Sequence, residues 1–142
     1  MHRGQPISVD APEGASSLPW GWSLAGPEIP GMRTCVLCVS PGRGLPLLMH
    51  ALRSELWTVV CGEGVCTVDG RASRISPHST VYIPAGAAHR VDNPSQADDL
   101  VISEVQMGVC DDGDAFTCVD GTGRAVAAAG DVAGSVDGTP PF

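Results

Sequence analysis

The 142-residue chain contains no lysine: all eight of its basic residues are arginine. That absence removes Schiff-base chemistry and a lysine general base, and it leaves arginine or backbone amides to hold any anionic ligand. Basic charge is scarce altogether, eight residues against sixteen acidic ones, for a formal net charge of −8. With no basic stripe or cluster the surface repels a phosphate backbone, so no nucleic acid and no membrane is expected as a partner. Aromatic residues are few, three Trp, one Tyr and two Phe. Each is therefore expected to serve as a large packing anchor, with Trp57 deeply buried and Trp20 in the core or at its mouth. No apolar run approaches the roughly 18 residues that span a bilayer, and Met1-His2-Arg3-Gly4-Gln5-Pro6 lacks an apolar stretch behind its arginine. A cytoplasmic location follows as the expectation.

What is present is turn chemistry. Eighteen glycines and twelve prolines are scattered between short apolar runs, which excludes long helices and predicts an all-β fold. The length suits one domain, and 43% hydrophobic against 17% charged residues supplies one packed core. Six cysteines, at 35, 38, 61, 66, 110 and 118, are read as free thiols in a reducing compartment. Cys35 and Cys38 form a CxxC, but strand alternation sends residues three apart to opposite faces, so neither a zinc knuckle nor a redox pair is expected.

The chain divides into a flexible N-terminal arm over residues 1–17, a folded domain over 18–124, and a disordered Ala/Gly/Pro tail over 125–142. Strands are predicted at 35–39, 45–49, 55–60, 64–68, 79–83, 89–91 and 100–106. Asp69-Gly70 is a type I′ turn signal, so 65–68 and 71–75 should pair as a hairpin. Many short strands without an intervening amphipathic helix suggest a small sandwich or barrel with one mouth. His78, beside Ser79, reads as a solvated turn residue.

Two patterns carry chemistry. Gly42 is followed by five residues, then Leu48, Met49 and His50, then four residues to Glu55 and six to Gly62. Further on comes Pro84-Ala85-Gly86-Ala87-Ala88-His89-Arg90-Val91-Asp92-Asn93. The first resembles the first cupin motif, and the second has the Pro-x-Gly-x-x-His-x-x-x-Asn spacing of the second. The resemblance implies a cupin-type double-stranded β-helix, a small jelly-roll barrel, in which His50, Glu55 and His89 bind one divalent metal ion. Two imidazoles and a carboxylate suit Zn, Fe, Mn or Ni and leave positions open for water or substrate, the condition for Lewis-acid chemistry. Leu48 stands where cupins normally supply a further His or Gln ligand.

A narrower resemblance rests on Leu18-Pro19-Trp20-Gly21, Pro41-Gly42, Arg53-Ser54-Glu55-Leu56-Trp57, Tyr82-Ile83-Pro84-Ala85-Gly86, His89-Arg90, Asn93-Pro94, Glu104-Val105-Gln106 with Gly108, and Gly123-Arg124. These residues are similar to the C-terminal cupin (isomerase) domain of type II mannose-6-phosphate isomerases, which are usually fused behind a mannose-1-phosphate guanylyltransferase domain. The resemblance implies a metal-dependent enzyme of isomerase type on a small polar or anionic substrate. Glu104 and Arg90 become catalytic candidates, and Arg124, Gln106, Cys35 and Arg53 substrate-binding ones. It also implies a homodimer. The pocket is altered: Leu48 replaces the family's Gln ligand, Ala51-Leu52 its His-rich stretch, and Cys35 its active-site Lys. A non-catalytic small-ligand-binding or sensor cupin is the alternative reading.

Overall fold

The computed structural model describes residues 4–110 and the backbone of residues 115–117. Its strands are β1 (Ser16–Leu18), β2 (Gly21–Ile29), β3 (Met32–Val39), β4 (Leu48–His50), β5 (Arg53–Cys61), β6 (Gly64–Val68), β7 (Arg71–Ile75), β8 (Thr80–Ile83), β9 (His89–Asp92), β10 (Leu100–Gly108) and β11 (Ala115–Thr117). They form a six-stranded sheet in the order β1-β2-β3-β10-β5-β8 and a five-stranded sheet in the order β11-β4-β9-β6-β7. All ladders are antiparallel. The all-β expectation holds, and among the described residues no helix is long and apolar enough to cross a membrane.

Alternation along the central strands builds the interior. On β5, Arg53, Glu55, Trp57 and Val59 are buried and point inward. On β10, Leu100, Ile102, Glu104 and Gln106 do the same. The registers place Ile102 beside Leu37 and Val59, Glu104 beside Cys35 and Trp57, and Gln106 beside Arg33 and Glu55. The interior therefore grades from hydrocarbon at one end to polar groups at the other. The apolar end joins both sheets, with Leu37, Val39, Val59, Leu100 and Ile102 packed against Cys66, Ile75 and Val91. Trp57 is 1% exposed and closes that cluster toward the polar end, as its expected anchor role requires.

The predicted hairpin forms, with Val68 paired to Arg71 across Asp69 (φ 49°) and Gly70 (φ 81°). Positive φ at both turn residues is the type I′ requirement. Gly62 turns the chain from β5 into β6 at φ 85°, and a Cβ there would lie 2.2 Å from the Asp99 carbonyl oxygen, so only glycine fits. His78 sits exposed in a turn at φ 77°. Cys35 and Cys38 are both buried free thiols, on opposite faces of β3.

Two expectations need correction. β1 and β2 were not anticipated, because Gly21, Gly26 and Pro27 interrupt any alternation. The β2 ladder shifts register between Ala25 and Glu28, the kind of irregularity that tolerates a strand proline. The stretch read as a flexible arm is tied down near its middle. Ile7 N–H donates to Asp98 Oδ1 at 2.8 Å, Val9 N–H to Asp99 Oδ2 at 2.7 Å, and Asp99 N–H to the Ile7 carbonyl at 2.8 Å. The tail expected over 125–142, together with Arg124, lies outside the described residues.

Candidate metal centre

β4, β5 and β9 bring the three proposed ligands together at the polar end. The short β4 delivers His50, the third position of β5 delivers Glu55, and His89 opens β9 after the Pro84-Ala85-Gly86 turn. That turn is held on β4 by Gly86 N–H donating to the His50 carbonyl at 2.8 Å. One donor atom from each of His50, Glu55 and His89 lies within 4.8 Å of the others, and all three residues are buried. His50 Nε2 is 3.0 Å from Glu55 Oε2, and His89 Nε2 is 3.6 Å from Glu55 Oε1.

The cluster fits a metal on its own chemistry. His89 donates from Nδ1 to the Ala87 carbonyl at 3.0 Å, leaving Nε2 buried without a hydrogen-bond partner among the described residues. Fixing one ring nitrogen on a carbonyl presents the other as a lone pair, the usual arrangement of a ligating histidine. Burial pushes the His89 pKa down despite the Glu55 carboxylate, so the ring is held neutral, the form that coordinates. Leu48, 3% exposed and paired with His89 across the β4–β9 ladder, fills the neighbouring inward position with hydrocarbon.

A second carboxyl group faces the first. Trp57 Nε1–H is shared between Glu55 Oε1 at 2.9 Å and Glu104 Oε2 at 3.1 Å. The shared donor holds the two buried carboxyl groups side by side. Two ionised carboxylates this close and this buried repel each other, which favours a proton on one of them. Burial and the charge of Glu55 push Glu104 well above the usual carboxylate range. Burial would also raise Glu55, but its polar neighbours Glu104 and His50 and the influence of both imidazoles outweigh it and hold this group below that range. Glu104 is thus the neutral acid and Glu55 the anion.

The remaining candidates separate by which way they face. Arg53 is 2% exposed and its Nη2 lies 2.9 Å from His50 Nδ1. Arginine has only donors, so that imidazole nitrogen accepts and the ring proton lies on Nε2 toward Glu55, a proton that must leave before Nε2 can ligate. Gln106 is fully buried beside Glu55, with no hydrogen bond on either amide atom. Cys35 points inward, and burial together with Glu104 pushes its thiol far up, making it inert packing. Arg90 does not join them. It follows His89 on β9, projects to the opposite face, and is ion-paired to Asp92 through Nη2 and through Nε at 3.0 Å. Sequence reading missed two participants. Arg33 shares the inner row with Gln106 and Glu55, which only the register reveals. Trp57 was anticipated as bulk, not as the donor between two carboxyls.

Residues 17–120 match the family model described as mannose-6-phosphate isomerase C-terminal. The chain belongs to that family. Among curated relatives, a mannose-1-phosphate guanylyltransferase of Escherichia coli is 39% identical over 72 residues, 51% of this chain and 15% of that protein. One from Klebsiella pneumoniae is 31% identical over 90 residues, 63% of this chain and 19% of that protein. The chain thus spans less than a fifth of the length of each. Solved structures agree on the cupin fold. The Cnp3 cupin domain of Schizosaccharomyces pombe superposes at a TM-score of 0.59 with 14% identity, over 71% of this chain and 69% of that one. A cupin-2 domain from Rhodospirillum rubrum gives 0.60 with 17% identity, over 74% and 77%. This member of the mannose-6-phosphate isomerase C-terminal family is therefore a double-stranded β-helix with a cluster compatible with a metal ion.

Proposed function

We propose that the chain is a metal-dependent cupin enzyme that performs isomerase-type proton transfer on a small polar or anionic metabolite. The observation that carries this reading is the convergence of His50, Glu55 and His89 beside a second buried carboxyl group, Glu104, whose pKa is pushed up by burial and by Glu55. A divalent ion held by those three residues would supply Lewis acidity toward a substrate oxygen. The chain's own groups supply the rest. Glu104 can give its proton to the substrate oxygen and, as the carboxylate so formed, take one from the neighbouring carbon, so that the transfer closes on one group. Trp57 fixes both carboxyl groups with one N–H, and burial of Glu55, Glu104 and Gln106 excludes water from them.

Leu48 supports a second reading, a small-ligand-binding or sensor cupin with a degraded metal site, because it fills a ligand position with an alkyl group. Elemental analysis of the purified chain, with His50→Ala and His89→Ala, separates the two. About one ion per chain that disappears in both variants, with turnover of hexose 6-phosphates or another small metabolite, supports the enzyme. A metal-free wild type with unchanged ligand binding in the variants supports the sensor.

The homodimer expected from the resemblance belongs to the same proposal. Leu56, Val60, Tyr82 and Met107 are exposed on the outer face of the six-stranded sheet, and no charged residue of β5, β8 or β10 shares that face. Two copies that each carry a net charge of −8 repel through their charged faces, so this one favours a second copy.

A further inference from the structure

A cavity of about 460 Å³ opens where the β5–β6 turn, the end of β7 and the 93–98 loop meet beneath Ile7 of the N-terminal arm. That volume lies within the range of roughly 300–1,000 Å³ common to small-molecule sites. The turn follows Cys61 at the end of β5 and abuts Leu100 at the start of β10. The cavity therefore lies outside the hydrocarbon end of the barrel, at the opposite end of β5 from Glu55 and the candidate metal centre. We propose that it binds a free aliphatic α-amino acid, the carboxylate on Arg74 and Ser95 and the ammonium between Glu63 and Asp98. This second site is independent of the catalytic reading above.

The walls are fixed before any ligand arrives. Asn93 Nδ2–H donates to the Val39 carbonyl at 2.9 Å and the Asp98 carbonyl at 2.8 Å, and its Oδ1 accepts from Ser95 N–H at 3.0 Å. Ser95 Oγ accepts from Ala97 N–H at 3.1 Å and Asp98 N–H at 2.9 Å. With both lone pairs engaged, the hydroxyl has its proton left to donate. Ile7 is held over the cavity through Asp98 and Asp99. The charged groups, by contrast, are open. Arg74 and Glu63 make no hydrogen bond or ion pair among the described residues, and Asp98 accepts through Oδ1 alone. An anion would meet two carboxylates, and a simple cation would leave the guanidinium unmatched. A molecule bearing both charges satisfies all three. A free α-amino acid carries them on one carbon, whereas each end of a polypeptide carries only one. Ile7, Val65, Pro77 and Pro94 supply apolar wall for an aliphatic side chain.

Isothermal titration calorimetry of the full chain with L-leucine tests this against two one-ended analogues, 4-methylpentanoate without the ammonium and isoamylamine without the carboxylate. Leucine is expected to bind with a Kd at least about tenfold below that of either analogue, a gap of about 1.4 kcal/mol. Arg74→Gln should abolish the advantage over isoamylamine, and Glu63→Gln should reduce the advantage over 4-methylpentanoate. Both residues are exposed, so both variants should melt with the wild type by circular dichroism. No saturable heat at about 10 mM leucine, an analogue that binds as tightly as leucine, or an advantage that survives its substitution undiminished would each overturn the assignment. If a variant does not fold, the comparison of leucine with its analogues in the wild type decides alone.

Discussion

Replacing Glu104 with Gln should make the metal-free protein progressively more stable than the wild type as pH rises from 5 to 6. In the unfolded chain a glutamate ionises near 4.5, whereas burial and the Glu55 anion hold the folded Glu104 well above that. Between those two values the folded state binds a proton that the unfolded state has released, so stability is complete below the unfolded value and falls as pH rises through the folded one. The slope for one proton is about 1.4 kcal/mol per pH unit. Glutamine has the same shape and nothing to titrate, and its amide can donate to Glu55 while its oxygen accepts from Trp57. His89 works in the opposite direction. Its depressed value means that the unfolded chain takes up a proton below about 6.5 that the folded ring refuses, so stability is lost as pH falls. This contribution is common to both proteins and cancels in their difference. Urea unfolding after dialysis against chelator, at pH 5 and pH 6, should show the Glu104→Gln advantage growing, by at most about 1.4 kcal/mol. A flat difference, or one that shrinks, would mean that Glu104 is ionised in the fold and that the proton assignment is wrong.

Three further outcomes follow from the same geometry. Trp57→Phe removes the N–H shared by Glu55 and Glu104 and leaves a void, for a combined loss of about 3 kcal/mol and about 10 °C in Tm by circular dichroism. Leu48→Gln adds a donor beside His89 and should tighten cobalt or zinc binding at least about tenfold in competition with a chelating indicator. Tyr82→Glu, placing charge at a residue 60% exposed on the outer face, should shift a dimer to monomer in size-exclusion chromatography with light scattering, with Tm unchanged.

Spacing carried most of the fold into view before any coordinates. The strands that alternate cleanly, such as β5 with Arg53, Glu55, Trp57 and Val59 inward, were legible because the side-chain period of a strand is two. β2 was not, because Gly26 and Pro27 break that period while the backbone continues past an irregular register. The ligand triad was legible because two motifs fix it. Arg90 was misplaced because motif adjacency to His89 says nothing about facing, and a neighbour in a strand points the other way. Arg33 and the second function of Trp57 depend on which residues of β3, β5 and β10 stand opposite one another, a long-range register that local patterning does not encode.

The grading of the barrel interior from hydrocarbon to polar groups separates two kinds of evolutionary change. Each of β3, β5 and β10 contributes to both ends, so a residue's position along its strand acts as a depth gauge. Substitutions near Leu37, Val59 and Ile102 are felt as thermal robustness. Those near Arg53, Glu55 and Gln106 change the polar cluster and leave that packing in place. The polar end of this barrel can therefore be altered while its foundations stay as they were.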